Sequence, residues 1–222
     1  MQEIRYAMVD GEKVPVLISD ENEALQAAKA ARRAIVGLWR EDGKENEWCA
    51  DTLITDVEDA DEEFLERIAR RHLGLPWTIC ETERLILREI AERDYEEIVK
   101  NHVDDGLDTA EKIAGYTKRH YEVFEFGFWA VEEKKSGNLA GVVGFRIPQD
   151  DAAGDVEDWL LSFDDENILD DTLELGYHIF PEYRRQGYAK EEFGTVQFLA
   201  RIEKDNIVSK KVAERLGFVR AA

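Results

Sequence analysis

The chain is poor in the residues that usually mark a secreted, metal-bound or nucleic-acid-binding protein. Its 222 residues include two cysteines, Cys49 and Cys80, in no C-x-x-C arrangement. That usage excludes a disulfide framework and predicts free thiols in a reducing compartment. The four histidines, His72, His102, His120 and His178, show no metal-ligand spacing, so no metal site is expected. No apolar run approaches the roughly 18 residues that span a bilayer. The opening stretch MQEIRYAMVDGEKV is charged and lacks the apolar core of a signal peptide. A cytoplasmic location without membrane contact is therefore expected. Basic residues are scarce too: 29 against 50 acidic ones, a formal net charge of -21. Nucleic-acid binding needs a basic face and is not expected here. Amines, cationic peptides and basic tails are the favoured partners, although acidity also serves solubility. Self-association is left open.

What is present is enough for a core. Hydrophobic residues make up 44% and aromatics 10% of the chain, which argues against disorder. The pattern restarts near residue 75, predicting a small α/β domain over 1–76 and a larger one over 77–222. In the first piece KVPVLIS, RAIVGLW and ADTLITD read as strands. DENEALQAAKAA reads as a helix with Asp20 and Glu23 as a capping box. DADEEFLERIARRHLG reads as a second helix, with Phe64, Leu65 and Ile68 on one face and Gly74 and Pro76 closing it. VLISDENEALQAAKAA resembles a late segment of the haloacid-dehalogenase phosphatase fold. That family's nucleophile lies in a D-x-D motif after the first strand, and none occurs before Asp59. A binding or structural appendage is expected instead.

The second piece has another order. ERLILREI is a strand, and ERDYEEIVKNHV is a helix whose capping box is Asp94 and Glu97. DTAEKIAGYTKRHYEVF is a further helix, and FGFWAVEEKKSGNLAGVVGFRI is a hairpin turning at KKSGN. A carboxylate-rich insert, Asp150 to Asp171, precedes the strand TLELGYHIF. Then come a glycine turn, a short helical run, the strand VQFLARIE and the helix DNIVSKKVAERLGF.

Three stretches in this order, ETERLILREIAERDYEEI, LELGYHIFPEYRRQGYAKE and ARIEKDNIVSKKVAERLGF, resemble the GNAT superfamily of N-acetyltransferases. The nearest branch is that of the ribosomal-protein N-terminal acetyltransferases. The likeness runs from Thr82 onward and implies a mixed, mostly antiparallel sheet flanked by helices, an α/β (α+β) fold. It also implies acetyl-CoA as co-substrate. The signature Q/R-x-x-G-x-G/A is met by Arg184, Gly187 and Ala189. Such a turn can offer backbone N–H groups to a pyrophosphate, with a side-chain-free Gly187 and the local cations Arg184, Arg185 and Lys190. Gln186 and Tyr188 complete the turn. The resemblance places the pantetheine along the main chain of His178, Ile179 and Phe180, and Asn206 and Ser209 at the cofactor side of the closing helix. From the residues alone, Asn206 or Asp205 could simply cap that helix.

Direct acetyl transfer to an amine requires a base but no nucleophilic Ser or Cys. Glu174 is the first candidate and His178, with its near-neutral pKa, the second. The tyrosine that many relatives use as the thiolate's acid is replaced by Ala213, leaving Tyr177, Tyr183, Tyr188, Ser209 or water. The helical run after Ala189 is short for the family, and the chain stops at GFVRAA before the last strand expected of the fold. The rival expectations are a degenerate acyl-CoA-binding regulatory module and a structural interaction protein with a chance turn. An acidic rim of Asp104, Asp105, Asp108 and the insert residues Asp155, Glu157, Asp158, Asp164, Asp165 and Glu166 would attract a cationic acceptor.

Overall fold

A computed structural model describes residues 1–40, 48–103, 106–124, 126–147, 156–161, 173–186, 188, 198–204 and 206–220. They group into two compact units, Met1–Trp77 with Gly115–Glu125, and Thr78–Ala114 with Phe126–Ala222. The first unit thus takes in Gly115–Glu125, a stretch that the sequence reading gave to the second domain.

The first unit is built on a four-stranded sheet, β1 (Gln2–Val9), β2 (Glu12–Ser19), β3 (Ala34–Leu38) and β4 (Leu53–Ile54), in that spatial order. β1 and β2 form an antiparallel hairpin, whereas β2, β3 and β4 run parallel. The hairpin turns at Asp10 and Gly11, whose φ angles of 50° and 88° are the left-handed values of a two-residue Asp-Gly turn. β1 was not anticipated, because its alternation lies within a charged stretch. Helix α1 (Asn22–Ala30) buries Leu25 and Ala28, and helix α2 (Glu62–His72) buries Leu65, Ile68 and Ala69. The α2 residues join Val16, Ile18, Val36 and Leu38 in one apolar core.

Two expected caps take other forms. Asp61 caps α2 by accepting from the Phe64 amide at 2.8 Å. The Asp20–Glu23 box is absent, since the α1 N-cap is Glu21 and makes no side-chain cap bond. Asp20 is drawn instead to two cations, the Met1 amino group and Arg40 Nε, the latter at 3.0 Å.

The second unit is an eight-stranded sheet. Its strands are β5 (Thr78–Glu81), β6 (Leu85–Glu89), β7 (Phe128–Glu133), β8 (Leu139–Arg146), β9 (Val156–Leu161), β10 (Leu173–Ile179), β11 (Phe198–Glu203) and β12 (Val219–Arg220). Their spatial order is β12-β9-β11-β10-β8-β7-β6-β5, antiparallel except between β10 and β11. Helices α3 (Tyr95–Lys100) and α5 (Ile207–Leu216) also belong to it, and α4 (Ala110–Phe124) begins within it. This mixed, mostly antiparallel sheet with helices is the fold that the sequence implied.

Two sequence expectations are corrected. The acidic insert contributes a sheet strand, β9, which pairs with β11 along six residues. The chain also reaches a last strand, β12, two residues paired to β9. Ahead of α3, Asp94 makes no cap bond to that helix. Its carboxylate is bound bidentately by Arg88 at 2.6 and 2.9 Å and accepts from the Ala91 amide at 2.8 Å. Charge-assisted bonds to a buried guanidinium outcompete a simple cap.

Candidate active site

The site is framed by how β10 pairs on its two sides. Toward β8 its ladder runs unbroken from Glu174–Arg146 to Ile179–Gly141. Toward β11 it holds only at Leu173–Phe198 and Glu174–Leu199. Beyond Glu174 the two parallel strands part, and among the described residues the β11-facing edge of β10 has no sheet partner.

Which backbone groups face this opening follows from strand alternation. The Phe180 amide donates to the Ala140 carbonyl at 2.9 Å. The His178 carbonyl sits so close to Gly141 that a Cβ there would lie 2.5 Å from it. Main-chain groups of His178 and Phe180 are therefore committed to β8. Those of Tyr177 and Ile179 point the other way, into the opening. Of the three backbone positions expected to meet a pantetheine, only Ile179 faces it, and Tyr177 joins it. The Ile179 carbonyl also accepts from Arg184 Nε at 2.9 Å, which folds that side chain back onto the strand end.

The turn that follows is braced from outside. Arg184 lies beyond a short 3-10 turn, Pro181–Tyr183, and Arg185 adopts a left-handed φ of 63°. The Gln186 carbonyl accepts from Arg84 at 2.9 Å. Arg84 also lies over the Tyr188 ring, 4.7 Å from its centroid. The Tyr188 hydroxyl donates to Glu133 Oε1 at 2.5 Å, and Ser136 Oγ donates to the same carboxylate at 2.6 Å. These two hydroxyls, Ser136 first, hold the Glu133 carboxyl below the usual carboxylate range. Arg84 and Glu133 did not figure in the sequence reading. Gly187, Ala189 and Lys190 lie outside the described residues, as do Asp104, Asp105 and most of the acidic insert. Asp108 is bound to Lys112 at 2.7 Å.

The candidate base Glu174 is buried on β10, at 3% exposure. Its Oε1 accepts from Arg146 at 2.5 Å, while Oε2 is buried with no hydrogen-bond partner among the described residues. His178, half-buried, packs its ring 6.0 Å from that of Phe180. Alternation puts Glu174 and His178 on one face of the strand, about 13 Å apart along it. They cannot serve the same proton.

Tyr177 points from the opposite face, on the side of α5. Its buried hydroxyl makes no well-formed hydrogen bond among the described residues. Burial pushes its phenol up, and the nearby Ser209 hydroxyl opposes that shift. At the head of α5, Asn206 is the cap, its Oδ1 accepting from the Ser209 amide at 3.1 Å. Ala213 is buried. Both cysteines are half-buried thiols outside any disulfide. Among the described residues, no His/Cys/Asp/Glu group could hold a metal, and no helix is long and apolar enough to cross a membrane.

Several solved structures are similar to part of this chain. A protein from Bordetella pertussis assigned to the GNAT acetyltransferases is 18% identical, with a TM-score of 0.47 over 64% of this chain and 89% of its own. A GNAT-family acetyltransferase from Bacillus anthracis is 19% identical, with a TM-score of 0.42 over 64% and 84%. The ribosomal-protein-S5-alanine acetyltransferase from Vibrio fischeri is 16% identical, with a TM-score of 0.43 over 65% and 83%. Residues 84–219 match the family model described as an acetyltransferase (GNAT) domain. That match takes in β6 to the first residue of β12, more than half of the chain, and by it the protein belongs to the GNAT acetyltransferases.

Proposed function

We propose that this protein is an acetyl-CoA-dependent N-acetyltransferase acting on a primary amine, a peptide N-terminus or small cationic amine, in the manner of the ribosomal-protein branch. The observation that carries this reading is the parting of β10 from β11 in a chain of this family. It leaves a strand edge able to bind an extended amide-containing ligand by main-chain hydrogen bonds.

Bound acetyl-CoA would supply the acyl group and a thiolate leaving group, so the amine must lose one proton and the sulfur must gain one. Tyr177 and Ile179 would hold the pantetheine through their main chain. An amide of this edge would also polarise the thioester carbonyl. Arg184, Arg185 and the turn through Lys190 would take the pyrophosphate, with Arg84, Tyr188 and Glu133 fixing the turn. Glu174 is the preferred base, because Oε2 can accept a proton directly or through a water while Oε1 stays anchored to Arg146. Tyr177 is the preferred acid in place of the missing tyrosine. Burial keeps its phenol protonated, the form an acid needs.

A net charge of -21 favours an acceptor that is cationic at rest. The test is release of free CoA thiol across a panel of peptides with free or blocked N-termini, polyamines and neutral amines. Turnover with the cationic free amines and none with blocked peptides is expected. Acetyl-CoA binding without turnover on any amine would overturn catalysis in favour of a regulatory binding module.

A further inference from the structure

The first unit holds a cationic cleft that the acetyl-transfer reading does not use. It has a volume of about 420 Å³ and is lined by Lys29, Arg32, Arg33, Asp51, Arg71 and His72, with apolar floor residues including Ile35 and Ile68. The cations come from the ends of α1 and α2 and the loop entering β3. Four permanent cations and one carboxylate line it, in a chain with 50 acidic residues.

Basic residues at helix C-termini often serve only the helix dipole. That accounts for Lys29 and Arg71, in the last turns of α1 and α2. It does not account for Arg32 and Arg33, which lie past the α1 cap residue Ala31. Their loop is fixed: the Arg33 amide donates to Ala28, and His72 Nε2 donates to the Arg32 carbonyl at 3.1 Å. Yet among the described residues neither guanidinium forms an ion pair or hydrogen bond. Lys29 is already tied to the Cys49 carbonyl at 2.7 Å and to Asp51 at 3.4 Å, so it narrows the cleft more than it neutralises it.

We propose that this cleft is a binding site for a small, multiply charged oxyanion, bound chiefly by Arg32 and Arg33. Guanidinium groups bind phosphate and carboxylate bidentately. The volume falls in the range of small-molecule sites, about 300–1,000 Å³. Phosphoryl and polycarboxylate metabolites share this chemistry.

The test is calorimetric titration of the full chain with pyrophosphate and with citrate, against sodium chloride at matched ionic strength. The Arg32→Gln/Arg33→Gln protein alters exposed side chains and is expected to fold normally. The Arg184→Gln/Arg185→Gln protein controls for pyrophosphate entering the acetyl-CoA turn. Binding of either anion above the chloride control, weakened about ten-fold or more in the first variant and unchanged in the second, is expected. Preference for one anion then identifies its class. No binding of either, equal binding by all three proteins, or loss only in the second variant would each overturn the assignment.

Discussion

Two clusters of arginine in this molecule use the same chemistry to opposite ends. In the second unit, Arg88 is buried and closed on itself. Asp94 grips it bidentately, Glu132 accepts from its Nε at 2.8 Å, and Arg93 reaches the same Glu132 at 3.0 Å. In the first unit, Arg32 and Arg33 stand exposed at a cleft with no carboxylate paired to them among the described residues. A charge that its own fold neutralises is a structural part. A charge left facing a cavity is available to a ligand. Glu174 lies between these cases, with one oxygen satisfied by Arg146 and the other buried without a hydrogen-bond partner among the described residues.

Breaking the closed cluster should have the largest effect. Asp94→Ala strands a buried guanidinium and should cost about 3–5 kcal/mol of stability, read from urea midpoints. Replacing both partners, Arg88→Met with Asp94→Leu, should recover much of that loss. The exposed pair should behave otherwise, with Arg32→Gln/Arg33→Gln changing stability by no more than about 0.5 kcal/mol. Equal losses from both sites would erase the distinction.

The half-closed case should show in catalysis. Glu174→Gln keeps the volume and a bond to Arg146 but removes the basic oxygen. Turnover should fall by about 10²–10⁴, and acetyl-CoA affinity should stay nearly constant. An unchanged rate would move the base to His178 or to water. Next in size is the α5 cap: Asn206→Ala should cost about 1 kcal/mol. If acetyl-CoA affinity also fell, Asn206 would have a second role at the cofactor.

The sequence made most of the second unit legible, because its strands alternate cleanly and its three motifs fall in order. It hid β9, whose apolar residues Val156 and Trp159–Leu161 are broken by Glu157 and Asp158 in a run dominated by carboxylates. It hid β1 in the same way, although VDGEK carried a two-residue hairpin turn that could have revealed it. Capping motifs misled at Asp20 and Asp94, since the helix pattern cannot register a cation outside the helix that binds the carboxylate more strongly. That the main chain of His178 and Phe180 turns toward β8 was hidden for a related reason. Which edge a backbone group faces depends on register with β8, and a single strand does not carry that information. Arg146 was invisible until that register placed it opposite Glu174.

The smallest effect expected is a pH dependence carried by α4. His120 stacks on Tyr116 with ring centroids 4.4 Å apart, and burial pushes its pKa below the ordinary histidine value near 6.5. The unfolded chain therefore binds this proton more readily than the folded one, and stability rises with pH across the interval between the two pKa values. The contribution is fully present above the unfolded value and is lost as the pH falls through the folded one. Urea midpoints should decline gently from pH 7.5 toward 5, and His120→Phe, which retains the stack, should flatten that part of the curve. The other histidines remain in the variant, so the difference between the two curves isolates His120. Parallel curves would show that its protonation is not linked to folding.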